Sequence, residues 1–443
     1  MALTGSEPTL RKRILLLSFQ FPPGRGSGIY RIRAWANGLA QAGHDVRVLT
    51  VERQFYEQIN GSFDEQLVAT IDDRVAISRF RFRAQHMQQD VKRMSWVRGN
   101  FTSLHADVHS RVNERIFPEA YAHVYPIMVG RGLAIAARWR PDLIVATGNP
   151  YAQLAAAHRL GTILKRPYVV DYHDAWTLNQ YTESDSFDRD APQWKWERRI
   201  IENAALTVTI NKPLADWYRS EYPLAHDRIR EYENGFDPEA IGAPTWGPAA
   251  DPVRFGYVGT IRGDIPLEEL SEGWIEARRT DPGMSLSTFV YHGHVGFFSW
   301  NERAIKARIV DPKNGISHAG PFSQADISKI YEGLDVLVLS LMSSPYVSSG
   351  KVFDYMASGK VIVGLFNDST QAHEILKDYP LYVPVGGLDQ QSVAAAMTKA
   401  AATARGRSPE QVQQAWRVAK QHSWANRFEP LIEEVTAIAS ERS

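Results

Sequence analysis

Between Asp237 and Pro252 the chain carries Pro238, Gly242, Pro244, Gly247, Pro248 and Pro252, a density of breakers that neither a long helix nor a central strand survives. The sequences on either side follow one rhythm. Before the break, the apolar run Ile14 to Ser18 leads through a Pro-Pro-Gly loop to Tyr30–Ala42, where Ile32, Trp35, Ala36 and Leu39 recur at helical spacing, and then to the apolar run Val46 to Val51. Strand, loop, helix and strand in that order form a βαβ unit of a parallel sheet. Further strands are expected at Leu143–Ala146, Tyr168–Asp171 and Leu206–Ile210, with a helix over Ala152–Leu164. After the break, strands are expected at Arg254–Val258, Ser287–Tyr291, Ile316–Ala319, Val336–Ser340 and Val361–Leu365, with a helix starting the stretch Val352–Ala357. A chain of 443 residues exceeds one compact core. The fold class is therefore α/β, with two Rossmann-like, doubly wound domains at 1–236 and 253–420 and a linker at 237–252. The tail is helical, and its final piece, 421–443, is expected to pack back towards the first domain through anchors such as Trp424 and Phe428.

Composition removes several classes of function. With no cysteine there is no disulfide, thiolate nucleophile or cysteine metal site, which fits a reducing, cytoplasmic setting. Fifty Lys and Arg against fifty Asp and Glu give no global argument for nucleic acid. The apolar runs fall far short of the about 20 residues of a membrane span, and polar Met1–Leu10 does not read as an export signal. From Arg81 to Arg140 ten basic residues face four acidic ones, interleaved with Trp96, Phe101, Phe117, Tyr121 and Tyr125. A solvated helix face explains this simply, and peripheral contact with an anionic lipid surface is the alternative.

Two loops carry candidate chemistry. Phe21-Pro-Pro-Gly-Arg-Gly-Ser-Gly28 joins the first strand to the first helix, where close backbone approach at Gly26, Ser27 and Gly28 and a helix N-terminus suit a phosphate or sugar. Gly24, Gly26 and Gly28 with Glu52 also imitate a dinucleotide fingerprint, but Phe19–Pro23 separate the strand from the first glycine. In the second domain, the small-residue loop Ser343–Gly350 precedes Lys351. The amides of Ser349, Gly350 and Lys351 could meet a diphosphate, Lys351 adds a cation, and Asp354 could accept the vicinal hydroxyls of a ribose. A plain i,i+3 ion pair between Lys351 and Asp354 is the structural alternative.

From Ser343 to Val363 the sequence resembles the donor-binding motif of the retaining GT-B glycosyltransferases of family 4: a small-residue loop, a basic residue, an acid, Tyr-Met-Ala-x-Gly and a buried strand. Other segments resemble that family in the same order: Phe21-Pro-Pro with its glycines, Gly43-His-Asp-Val-Arg-Val, Arg140-Pro-Asp-Leu-Ile-Val-Ala-Thr, Val169-Val-Asp-Tyr-His-Asp-Ala-Trp, Asn234-Gly-Phe-Asp237, Tyr257-Val-Gly-Thr and His318-Ala-Gly-Pro-Phe322. The resemblance implies two domains facing each other across a cleft, a nucleotide-diphospho-sugar donor on the second domain, and a glycan, lipid-linked or small-molecule acceptor on the first. It implies catalytic roles for His173, Asp174, Arg262 and Lys351, and donor contacts from Gly26, Ser27, Gly28, Phe322, Tyr346, Ser348, Ser349, Gly350 and Asp354. Asn149 and Tyr151 are weaker acceptor candidates, and Trp194, Trp196 and Trp217 could add a sugar subsite, although core packing is the expected fate of most.

This sequence also departs from the family pattern. Of the usual pair of glutamates, Asp354 takes the second place and Tyr346 the first; Ile265 stands where a lysine is usual. Diphosphate charge would then fall to Arg262 and Lys351. No metal or other cofactor is expected, since neither Asp72-Asp73 nor Asp171 to Asp174 has a trusted ligand spacing. His292-Gly-His294 and His105 to His109 read as packed or solvated histidines rather than a zinc site. The competing functions are a sugar-nucleotide epimerase or phosphorylase on this scaffold and a non-catalytic homologue, the latter motivated by Tyr346.

Overall fold

The computed structural model describes residues 11–57, 63–82, 113, 115–245, 247–263, 265–296, 299–323, 326–342 and 344–441. The basic, aromatic stretch beyond Phe82, with Trp96, Phe101, His105 and His109, and Ser343 of the second loop lie outside these residues. The chain divides into two compact units, one of residues 1–179, 183–233 and 428–443, the other of residues 180–182 and 234–427.

The first unit is built on a seven-stranded parallel sheet. Its strands are β1 (Arg13–Leu17), β2 (Asp45–Val51), β3 (Ala76–Phe80), β4 (Leu143–Thr147), β5 (Tyr168–Tyr172), β8 (Leu206–Thr209) and β9 (Ile229–Glu231), in the order β3-β2-β1-β4-β5-β8-β9. A small antiparallel pair, β6 (Leu178–Asn179) and β7 (Ser184–Asp185), leaves this sheet after β5. Strands β4 and β5 are buried along their whole length, which is why they appear in the sequence as unbroken apolar runs. The helices α1 (Ser27–Gln41), α2 (Val124–Trp139), α3 (Ala152–Leu164), α4 (Pro192–Asn203) and α5 (Lys212–Glu221) supply the crossovers and surround the sheet. The order of strands reverses between β1 and β4, so the loops after these two strands diverge and leave a crevice at their carboxyl ends.

The second unit repeats the plan with six parallel strands: β10 (Arg254–Val258), β11 (Thr288–His292), β12 (Ile316–Gly320), β13 (Val336–Ser340), β14 (Val361–Leu365) and β15 (Tyr382–Pro384), in the order β12-β11-β10-β13-β14-β15. Here the order reverses between β10 and β13. Its longer helices are α6 (Leu267–Thr280), α7 (Ser299–Ile309), α8 (Lys351–Ala357), α9 (Gln390–Gly406) and α10 (Pro409–Lys420), followed by the last helix of the chain, α11 (Trp424–Ser440). One apolar core runs from Phe236 to Ala419, centred on β13, β14 and α8. No described helix is long and apolar enough to cross a membrane.

The expected elements form, with three differences. Helix α1 starts at Ser27 rather than Tyr30, because the turn at Gly26 already directs the chain into the helix. The expected linker 237–252 is tied to the second unit: Ile241 is buried, the Ala249 amide donates to the Ala404 carbonyl, and the unit begins at Asn234. The tail breaks between Lys420 and Trp424 into two helices, and the contacts of residues 428–443 fall with the first unit.

Candidate functional site

In the first unit, the glycine turn and His173 meet at the carboxyl ends of β1 and β5. Gly26 and Ser27 are exposed at the start of α1, a fifteen-residue helix whose first turn has no side-chain cap. Uncapped amides and a positive dipole end suit an anion or sugar oxygen. The ring of His173 lies so close to Gly28 that a β-carbon there would stand 3.0 Å from Nε2. Its Nδ1 lies 3.2 Å from Thr147 Oγ1 at the end of β4, and its Nε2 lies 3.4 Å from Asp174 Oδ2. Asn149 is exposed after β4. The turn it occupies is held by Glu119, whose carboxylate accepts from the Tyr151 amide (3.0 Å) and the Ala152 amide (2.6 Å) at the start of α3. Burial raises the Glu119 pKa to about 7 against the pull of those two amides.

Tyr151 is a correction. It stacks on Trp176 at 5.0 Å with an interplanar angle of 10°, and its hydroxyl donates to the Ala175 carbonyl at 2.7 Å. A ring so covered offers a sugar no face. Trp194 is likewise buried, beneath the guanidinium of Arg189.

The second unit gathers cations at its strand reversal, on the loops after β10 and β13. Lys351, the first residue of α8, turns back over the end of β10. Its ammonium lies 4.5 Å from the centre of the Tyr257 ring, donates to the Tyr257 hydroxyl and donates to the Thr260 carbonyl at 3.2 Å. No ion pair joins Lys351 to Asp354 among the described residues, so the structural alternative is not what forms. Gly259 permits this path: its φ is +137°, and a β-carbon there would come within 2.4 Å of the lysine stem. Tyr355, one turn along α8, locks helix to strand by accepting from the Val258 amide (2.7 Å) and donating to the Val258 carbonyl (3.1 Å). Arg262 lies 5.0 Å from the centre of the Tyr181 ring and donates to the Tyr181 hydroxyl at 3.2 Å.

The loop before α8 contains groups with unused hydrogen-bonding capacity. The amides of Ser349, Gly350 and Lys351 donate to no acceptor among the described residues, and the hydroxyl of Ser348 is buried without a partner. The residues that carry these amides are half-exposed and so open to a ligand, while the buried hydroxyl is the costly one. Tyr346 is half-buried, its amide bonded to Ser344 Oγ at 3.2 Å. Asp354 stands close to Asp237; burial, reinforced by that second carboxylate, lifts its pKa to about 8. The raised value favours a carboxyl that can donate as well as accept. Ile265 is buried in the core.

Beyond the cations, a cavity of about 280 Å³ opens where β11 and β12 end, lined by His294, Glu302, Lys306, His318, Gly320 and Pro321 among others. Its size suits a heterocyclic base rather than a whole nucleotide sugar. Phe322 follows it, half-buried against the core. His292 is half-buried, and burial followed by the neighbouring His318 lowers its pKa. His318 Nε2 lies 2.8 Å from the Gly293 carbonyl. Among the described residues no three His, Cys, Asp or Glu side chains are grouped to hold a metal.

Two α/β units, each a parallel sheet with one reversal of strand order, have the architecture of the GT-B fold, and the comparisons bear on the same fold. Residues 26–235 match the family described as glycosyl transferase 4-like domain, and the two-unit α/β fold is that of the GT-B glycosyltransferases. No curated protein matches the chain in sequence. Among solved structures it is similar to sucrose-phosphate synthase from Thermosynechococcus elongatus, at 16% identity and a TM-score of 0.62 over 96% of this chain and 100% of that one. It is similar to Anabaena HepE in complex with UDP and glucose, at 15% identity and a TM-score of 0.58 over 96% and 100%. An α,α-trehalose-phosphate synthase (UDP-forming) from Burkholderia vietnamiensis gives 13% identity and a TM-score of 0.61 over 98% and 100%. At such identities these likenesses speak for the fold.

Sequence reasoning missed Tyr257, which aims Lys351; Tyr181, against which Arg262 rests; and Thr147 and Glu119, which set the surroundings of His173 and Asn149. Tyr257, Thr147 and Glu119 sit inside or beside apolar runs, where a polar tip gives little signal, and Tyr181 lies in a polar loop that no spacing marks.

Proposed function

We propose that this protein is a glycosyltransferase that takes its sugar from a nucleoside diphosphate donor and passes it to a hydroxyl with retention at the anomeric carbon, without a metal. The observation that carries the reading is Lys351 held over Tyr257 at the strand reversal of the second sheet, next to the unsatisfied amides of residues 349–351. Charge grows on the diphosphate as the anomeric bond breaks, and preorganised cations and amides act best where charge develops. Lys351 and Arg262 would bear that charge, Asp354 would meet the ribose, and the cavity beside Pro321 would take the base. The acceptor oxygen forms its bond to the anomeric carbon as the carbon–phosphate oxygen bond breaks, and its proton passes to the departing phosphate oxygen. His173, steadied by Thr147, would orient the sugar or the acceptor hydroxyl, with Asp174, Gly26, Ser27 and Gly28 around it. The acceptor is a glycan, a lipid-linked sugar or a small molecule, with Asn149 facing it.

UDP is the nucleotide to test first, since HepE was solved with it and the trehalose-phosphate synthase is named for forming it. Calorimetric titration with UDP, GDP and ADP tests donor binding, and proton NMR of the product from a UDP-sugar reads the anomeric configuration. Saturable binding of one nucleotide and an unchanged configuration are expected. A wild type that binds none of the three would overturn the reading.

A further inference from the structure

Three residues after Gly28 along α1, Arg31 is wholly buried; within β5, two residues before His173, Asp171 is wholly buried as well. They form a two-pronged pair, with Nε 2.8 Å from Oδ2 and Nη2 2.9 Å from Oδ1. Trp35 Nε1, one turn further along α1, donates to Oδ2 at 3.0 Å. Phe428 closes the outer side, its ring 5.2 Å from the Arg31 guanidinium and 5.7 Å from the Trp35 ring.

Residues three apart share a helix face, and His173 follows directly on the end of β5, two residues from Asp171. The Gly28–His173 approach and the Arg31–Asp171 pair are therefore successive contacts between one face of α1 and the carboxyl end of β5 with the residue after it. Apolar residues of similar volume would hold a helix to a sheet as well as a buried ion pair does, without its desolvation cost. A fork-to-carboxylate pair adds something they lack: two parallel hydrogen bonds that fix distance and rotation together. The geometry points to Arg31 and Asp171 as positioning residues for the transfer reaction, setting the ring of His173 against the glycine turn. This rests on the glycosyltransferase reading above for its kinetic readout.

The test uses the full chain and the double variant Arg31→Met with Asp171→Asn, which removes both charges at nearly constant volume and leaves an amide oxygen to accept from Trp35 Nε1, alongside Arg31→Lys, which keeps the charge and loses the fork. Melting temperature, UDP affinity, and kcat and KM for UDP release from UDP-glucose are measured for each. The double variant should fold and bind UDP as the wild type does, while kcat falls about 100-fold with KM unchanged, as expected for a catalytic group misplaced by about 1 Å. Arg31→Lys should fall between the two. A folded double variant with wild-type kcat overturns the proposal, leaving the pair a structural one. Should the double variant not fold, Arg31→Lys decides by the same outcomes. A wild type that neither binds nor cleaves a nucleotide sugar sinks the transferase reading instead. The pair is then judged by the NMR resonances of the His173 ring, assigned by their loss in His173→Gln: they shift in Arg31→Lys if the pair positions the ring, and stay in place if it does not.

Discussion

Replacing Lys351 with methionine separates its charge from its packing. The stem still covers Tyr257 and fills the space left by Gly259, but the ammonium is gone. Of its three N–H donors, two point at the Tyr257 oxygen and the Thr260 carbonyl, leaving one for a phosphate oxygen. An attraction over 4 Å amounts to about 4 kcal/mol at an effective dielectric of 20. After desolvation, a charge-assisted bond keeps about 1.5–3 kcal/mol, so the dissociation constant for UDP should rise about 10- to 100-fold. The lost cation–π contact costs about 0.5–1 kcal/mol of stability, so melting should change little. Isothermal titration calorimetry with UDP, at constant ionic strength, reads the first quantity and differential scanning calorimetry the second. A dissociation constant within about twofold of the wild type, far below the expected loss, would mean that the diphosphate does not meet Lys351, and the donor assignment would fail.

Gly28→Ala should separate stability from turnover in the opposite direction. Alanine favours the helix by about 0.5–1 kcal/mol, while its β-carbon at 3.0 Å from Nε2 forces the His173 ring aside; kcat should drop with UDP affinity intact, and an unchanged kcat would show that this ring is not engaged. Stability should fall as pH rises, because buried Glu197, bonded by Thr177, Tyr218 and Tyr222, has its pKa raised by burial from 4.5 to about 7. Its contribution is complete below the unfolded value and lost as pH climbs through the folded one, on the order of 3 kcal/mol at most. Urea melts between pH 5 and 8 should show that decline, to which Glu119 and Asp354 also contribute, and Glu197→Gln should make it shallower; an equal slope in both proteins would assign the effect elsewhere. Exhaustive chelation with EDTA should leave sugar transfer intact, and turnover that disappears and returns with magnesium would refute the metal-free step.

Much of this architecture was legible because buried parallel strands appear as continuous apolar runs. Val336–Ser340 and Val361–Leu365 form as expected to the residue. Strand β3 gave no such signal, since Ala76, Ser78 and Arg79 lie along a sheet edge where only Phe80 is fully buried. Lys351 stood out as a cation after a small-residue loop, whereas Arg262 entered only through the family resemblance. Tyr257 did not, because a tyrosine inside an apolar strand looks like core until its hydroxyl is seen to leave it. Tyr151 misled for the complementary reason: nothing in a single sequence tells that Trp176 will cover the ring. Asp171 was the overlooked clue, an acid within the apolar run Tyr168–Tyr172, where burial without a partner would be prohibitive.

Phe428, which seals Arg31, belongs to a stretch made roughly two hundred residues after the rest of its unit. During synthesis the seven strands of its sheet can pair early, yet the guanidinium of Arg31 and the indole of Trp35 lack the cover of Phe428 until the second unit has been threaded out and the chain comes back. The second unit, continuous from Asn234 to Arg427 apart from three residues, can be excised as a single piece. A fragment meant to represent the first unit needs residues 428–443 rejoined to it, for instance by a short linker after Glu233.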